Sequence, residues 1–243
     1  MAGTIIPNIV KSELIFYSDV PNIRCYPGGS ACYSLTTGSE GSLDNGVSIT
    51  GGIYDKSFNF DGIDDLVNIQ SSAYIKIPTL PLTLDFWVYV DSACPDFAGI
   101  FSTAWSSSNY NGISLQIDMS GGIYSLGCSY GDGTGSNSWN RRSFSTSSEF
   151  EVDKWYHVTI CIESSTSSYF YKNAVPIIVN SVSGGYLGPM VWPSNLPLYL
   201  GRAWNSGGAF FKGNVANLKI YDKALSIDEV QQNFNAHRKR YNL

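Results

Sequence analysis

Between positions 82 and 90 a large apolar residue occupies every second place, Leu82, Leu84, Phe86, Val88 and Val90, with Thr83, Asp85, Trp87 and Tyr89 between them. A period of two sends successive side chains to opposite faces of an extended chain, so this run is predicted to be a half-buried strand. The alternation recurs at 155–163, where Tyr156, Val158, Ile160 and Ile162 share the predicted inner face against Trp155, His157, Thr159 and Cys161. Along 215–221 it points Ala216, Leu218 and Ile220 inward, and shorter runs at 53–60, 66–69, 113–117 and 197–201 read similarly. Isolated strands cannot hide such faces, so the expected fold is all-β, with two antiparallel sheets packed face to face.

Length and composition agree with that. A chain of 243 residues suits one domain over 1–243, and 24 glycines with only 14% charged residues fit many strands joined by tight turns. The net charge of −5 supplies no basic field for phosphates, so no nucleic-acid partner is expected. No run approaches a membrane span and no basic-then-apolar leader opens the chain, so no membrane or secretory role is expected either. Five cysteines, an odd number without paired spacing, and the absence of any Asn-x-Ser/Thr acceptor fit synthesis in a reducing compartment.

One helix is predicted over 226–240, following an N-terminal arm at 1–13 and the strands. Ser226 and Glu229 have capping-box spacing, Leu225 and Val230 form the matching staple, and Ile227, Val230 and Phe234 lie on one stripe. His237, Arg238 and Lys239 are expected to set positive charge at the negative end of the helix dipole, which gives the basic cluster ending at Arg240 a structural role.

In order along the chain stand 14–17 (Leu-Ile-Phe-Tyr), 26–29 (Tyr-Pro-Gly-Gly), 58–67 (Phe-Asn-Phe-Asp-Gly-Ile-Asp-Asp-Leu-Val), 84–88 (Leu-Asp-Phe-Trp-Val), 154–158 (Lys-Trp-Tyr-His-Val), 198–202 (Leu-Tyr-Leu-Gly-Arg), 213–215 and 220–226. This series resembles the laminin-G-like jelly-roll family of the concanavalin A-like lectin and glucanase superfamily, and the segment 58–67 is its most specific part. The resemblance implies a two-sheet antiparallel jelly-roll sandwich with one short C-terminal helix. Two departures stand out. Asn173-Ala174 replaces the Asn-Gly usual in the hairpin after Tyr169-Phe170-Tyr171, so that turn is expected to be built otherwise. Ala216 and Asn217 replace an acidic residue, removing the side chain that an acidic site on that strand would draw on. The opening and closing segments also resemble laminin-G-like virion proteins of tailed bacteriophages. That resemblance implies a non-enzymatic capsid-decoration or tail component, made in the host bacterial cytoplasm and located in the virion. Its partners would be other virion proteins, with several copies per particle or a homo-oligomer, and host-surface glycans.

Four groups of residues bear on chemistry. Asp61, Asp64 and Asp65 crowd three carboxylates into a glycine-containing turn, which suits Ca²⁺, and equally suits Asp bonding backbone N–H groups to close the turn. Trp105, Tyr110, Trp139, Trp192 and Trp204 fall in Gly/Ser/Asn-rich segments near Asn109, Asn140, Arg141, Asn195 and Asn205, the ingredients of a sugar site or of a protein contact. Glu149 and Glu151 alternate as a glycosidase pair would, but they lead straight into the turn before Trp155, and a solvated acidic turn is the preferred reading. His157 sits in no nucleophile motif and is expected to be packed or hydrogen-bonded. The run at 131–135 lacks the Lys-Ser/Thr of a phosphate loop, and the cysteines and histidines lack zinc spacing. The ranking is therefore a virion surface protein first, a stand-alone lectin second and a glycan hydrolase last.

Overall fold

Leu82–Val90 lies at the centre of one sheet, paired along its length with Trp155–Ile162 on one side and with Lys212–Tyr221 on the other. The computed structural model describes residues 8–69, 79–103, 105–106, 108–147, 149–192, 197–203 and 210–243. Among these, eight strands form the first sheet, in the order Val175–Ile177, Ser168–Lys172, Trp155–Ile162, Leu82–Val90, Lys212–Tyr221, Ser57–Asp61 and Ser48–Thr50, with Leu14–Tyr17 also paired to Lys212–Tyr221. Ten strands form the second. Its order runs Val179–Ser183, Arg141–Thr146, Ile123–Gly131, Ile113–Ser120, Gly99–Ser102, Leu198–Leu200, Leu66–Ile69, Glu40–Asp44 and Ala31–Tyr33, with Phe150–Glu151 paired to Ile123–Gly131. All pairings between these strands are antiparallel. Leu84, Phe86, Val88, Val158 and Ile160 from one sheet meet Leu115, Ile117, Tyr124, Leu126 and Phe144 from the other in one buried core. Among the described residues, no helix is long and apolar enough to cross a membrane.

The central strands are not half-buried as their period suggested. Thr83, Asp85, Trp87, His157, Thr159 and Cys161, on the face away from the core, are fully buried too. The cause is the C-terminal helix Ile227–His237 and the 3₁₀ turn Arg238–Tyr241, which lie across them: Phe234 and Tyr241 stack on Trp87, with ring centroids 5.9 and 4.2 Å away. The predicted cap is present, with Ser226 Oγ accepting from Glu229 N–H and the Glu229 carboxylate accepting from Ser226 N–H. Leu225 and Val230 are buried together beside Val10.

Beneath the helix the polar groups bond to one another. Lys219 Nζ donates to Asp85 Oδ1 at 2.7 Å, while Thr159 Oγ1 and Asn233 Nδ2 donate to Asp85 Oδ2 at 3.0 and 3.2 Å. Asn233 also accepts from Val10 N–H at 2.9 Å, and Tyr221 OH donates to the Val10 carbonyl at 3.1 Å. Burial alone would push the Asp85 carboxyl up, but the Lys219 ammonium and His157 beside it hold it well below the usual carboxylate range. Removing one partner of so buried a pair typically costs about 3–5 kcal/mol.

Three local expectations are corrected. Ala216 faces Trp87 and Tyr241 rather than the core, because Asn217 takes a left-handed φ of 52° at a bulge and Val215, Leu218 and Ile220 face inward instead. The Asn173-Ala174 turn has positive φ at both residues after all, 52° and 61°. Asn173 Oδ1 accepts from His157 N–H, and the Ala174 methyl is buried in the cluster under the helix, which offsets the left-handed strain. Finally, His237 adds no positive charge to the helix end. The α-helix stops there, Arg240 turns away to pair with Asp19 at 2.9 Å, and burial, with Lys219 and Arg240 nearby, pushes the His237 ring down to about 2. The five cysteines are all free and all buried, and burial raises Cys32 to about 12 and Cys94 and Cys161 to about 11.

His237 stays neutral in the folded chain, whereas the unfolded chain protonates it below about pH 6.5. The unfolded state then binds more protons, so stability is full above that pH and falls as pH drops toward 2. Urea melts at a series of pH values from neutral downwards are expected to show this loss at up to about 1.4 kcal/mol per pH unit, with the slope reduced in His237→Gln. Equal slopes in both proteins would refute the assignment.

Candidate functional site

The segment between Gly131 and Asn140 is tied by side-chain bonds to its own backbone. Asp132 Oδ1 accepts from Thr134 N–H at 2.8 Å, Asn140 Nδ2 donates to Asp132 Oδ2 at 2.9 Å, and Asn137 Oδ1 accepts from Trp139 N–H at 2.9 Å to start the 3₁₀ turn Ser138–Asn140. The bonds from Asn140 and Thr134 overcome the effect of burial and lower the Asp132 carboxyl. The knot presents Trp139 with 75% of its surface in solvent. Its indole rests on Gly185, where a Cβ would come within 2.1 Å of the ring.

Arg141 follows, its guanidinium 5.4 Å from the centre of the Tyr110 ring, and Tyr110 stacks on Trp105 at 4.5 Å. Four of the residues singled out from sequence thus sit in one neighbourhood, but in different roles. Trp105 is only 2% exposed, and Tyr110 and Trp192 are also buried, so these three plug the end of the sandwich and offer no open ring face. Trp139 and Arg141 are left to meet a ligand. Trp204, with Asn195 and Asn205, lies outside the described residues.

Arg141 also lines a groove of about 180 Å³ on the outer face of the ten-stranded sheet. The strands below it send apolar residues to the core and Gln116, Asp118, Ser125, Ser129, Ser143 and Ser145 outward, so the floor is a field of hydroxyls with an amide and a carboxyl. Ser129 Oγ donates to Ser143 Oγ at 2.7 Å. Partial burial and the neighbouring Asp96, which shares a hydrogen bond with it, raise the Asp118 carboxyl. Phe97, held at φ 56° and half exposed, flanks the groove. Sequence reading missed this floor because serines and glycines look like turn residues, and here they are simply the outward set of a period-two pattern.

Asp61, Asp64 and Asp65 do come together, each offering an oxygen within 4.8 Å of the others'. Asp61 Oδ1 accepts from Ile63 N–H and Asp65 Oδ2 from Asp61 N–H, which is turn closure. Asp65 is nonetheless 3% exposed with Oδ1 unpartnered among the described residues, and burial, then Asp61 and Asp64, raises its carboxyl. An orphaned buried carboxylate oxygen beside two exposed carboxylates fits a hard cation such as Ca²⁺. Glu151 is exposed and paired with Lys154 at 2.7 Å, while Glu149 accepts from Ser147 Oγ at 2.6 Å. His157 is packed against both Trp87 and Phe234, with Nε2 3.1 Å from Asp85 Oδ2 but off the hydrogen-bond direction.

Against known proteins, the family profile Laminin_G_3, described as concanavalin A-like lectin/glucanases superfamily, matches residues 61–231. No curated protein matches. Domain 4 of AbnA, a GH43 extracellular arabinanase from Geobacillus stearothermophilus solved with arabinotriose, superposes with a TM-score of 0.59 at 16% identity, covering 91% of this chain and 98% of that one. The binding domain of botulinum neurotoxin DC in complex with SialylT gives 0.63 at 12% identity, covering 92% of this chain and 51% of that one. The Trypanosoma rangeli sialidase in complex with the inhibitor DANA gives 0.60 at 15% identity, covering 95% of this chain and 35% of that one. The chain therefore spans about half of the toxin domain and about a third of the sialidase. Identities this low show a shared fold.

The packing of the two tryptophans gives a direct contrast. Trp105→Ala is expected to cost about 3–5 kcal/mol in urea unfolding, as large core truncations do, and Trp139→Ala less than about 0.5 kcal/mol. Similar losses from both would overturn the assignment of plug and exposed ring.

Proposed function

Because the chain belongs to the laminin-G-like family of the concanavalin A-like lectin and glucanase superfamily, we propose that it is a non-enzymatic glycan-binding surface protein, carried on the virion of a tailed bacteriophage. The observation that carries the binding reading is the open, hydroxyl-lined groove beside Arg141, with exposed Trp139 at the same end of the sheet. An aromatic face stacks on the C–H face of a sugar ring while amide, guanidinium and hydroxyl groups bond its hydroxyls. The arabinanase domain and the toxin domain, both solved with saccharides, support that choice of ligand class. The separate engagement of Glu149 and Glu151 supports binding over hydrolysis. Placement on the virion, in several copies beside other capsid or tail proteins, is proposed from the resemblance drawn from the opening and closing segments of the sequence alone.

On a glycan array the protein is expected to mark a subset of glycans, with the signal lost in Trp139→Ala. A flat array would refute the binding reading. Mass spectrometry of purified virions is expected to detect the chain, and its absence from the particle would sink the virion placement.

Calcium, if held, would sit on Asp61, Asp64 and Asp65, neutralising the Asp65 oxygen and fixing the turn. Millimolar Ca²⁺ is expected to raise Tm, with EDTA reversing the rise and Asp65→Asn abolishing it. An unchanged Tm would rule the ion out.

A further inference from the structure

On the eight-stranded sheet, just past the end of the helix cover, one row of residues crosses five adjacent strands. Trp155 stands opposite Tyr89, Tyr89 opposite Asn214, Asn214 opposite Asn59 and Asn59 opposite Ser48. Such a row projects side by side from one face of the sheet. Trp155 and Tyr89 lie with ring centroids 5.8 Å apart at 54°, so they form two walls rather than one flat stack, and Trp155 is backed by Tyr241 at 4.7 Å. The amides are tied in place, with Asn214 Nδ2 donating to Thr50 Oγ1 at 2.6 Å and Ser57 Oγ at 3.1 Å while Asn214 Oδ1 accepts from Asn59 Nδ2 at 3.3 Å. Above them the chain bends back through Gly51, at φ 103°, and brings in Asp55, whose Oδ1 accepts from Gly52 N–H. Tyr89, Trp155, Asn214, Ser57, Thr50 and Asp55 enclose a cleft of about 160 Å³.

We infer that this cleft is a second saccharide site, for one neutral sugar residue such as a hexose or an N-acetylhexosamine. Two angled aromatic faces beside the Thr50 hydroxyl and the Asp55 carboxylate supply both halves of sugar recognition, apolar contact for the ring's C–H face and hydrogen bonding for its hydroxyls, while Asn214, whose two N–H donors go to Thr50 and Ser57, holds the wall in place. The volume admits a single ring. Asp55 in the wall, and Asp153 accepting from Tyr89 OH at 3.4 Å, set negative charge around the cleft and select against sialic and uronic acids. None of these residues belongs to the serine-lined groove, which lies on the other sheet, so the inference stands whether or not that groove binds glycans. Two sites on opposite faces would let one copy bridge two glycan chains.

The test is nuclear magnetic resonance titration of the ¹⁵N-labelled full chain carrying Trp139→Ala, with glucose, galactose and N-acetylglucosamine at millimolar concentrations. At least one of these sugars is expected to shift the Trp155 indole N–H and the Asn214 side-chain amide in a saturable manner, with affinity falling tenfold or more in Asn214→Ala and in Asp55→Ala. Asp55→Ala changes only a loop side chain, and it keeps the test decisive if Asn214→Ala unfolds. Silence of both signals toward all three sugars overturns the proposal, as does undiminished binding in a folded Asp55→Ala protein.

Discussion

A carboxylate sealed from water must be neutralised where it stands, and Asp85 stands in the central strand on the side away from the core. Lys219 reaches it from the neighbouring strand, Thr159 from the strand on the other side and Asn233 from the helix. Asn233 in turn holds Val10, so segments more than two hundred residues apart converge on one charge. That arrangement fixes which surfaces are free. The back of the eight-stranded sheet is committed to the helix except at its margin, while the back of the ten-stranded sheet is left open to solvent along its serine-lined floor.

Much of this was legible in the order of residues. Period-two alternation located Leu82–Val90 and Trp155–Ile162 because packing two sheets leaves little choice of register, and Ser226 with Glu229 located the helix start because unpaired N–H groups need acceptors. His157 was expected to be packed or hydrogen-bonded and is packed, but the second burial of Trp87 was not legible, because nothing local says where a helix about 140 residues further along will dock. Ala216 was misplaced for a related reason: one left-handed residue, Asn217, shifts the alternation by a step. The strand pattern is blind to such a step.

The candidate sites divide along similar lines. Loop composition singled out Trp105, Tyr110 and Trp139 alike, although only packing decides which ring turns inward, and Tyr110 meets both the Trp105 ring and the Arg141 guanidinium. The acidic turn was readable because its three members are near neighbours in the chain. Both proposed sugar clefts are assembled across strands from residues that look ordinary one at a time, Ser143 and Gln116 in one, Asn214 and Tyr89 in the other.

The five unbridged thiols have an outcome of their own. A thiol attacks a reagent or another thiol only as thiolate and only on contact, and in the folded chain burial denies both. No covalent bond in the fold therefore differs between reducing and oxidising surroundings. Alkylation of Cys32, Cys94 or Cys128 at neutral pH records a moment when the two sheets have parted, and alkylation of Cys161 a moment when the helix has lifted, which makes these cysteines separate clocks for two openings.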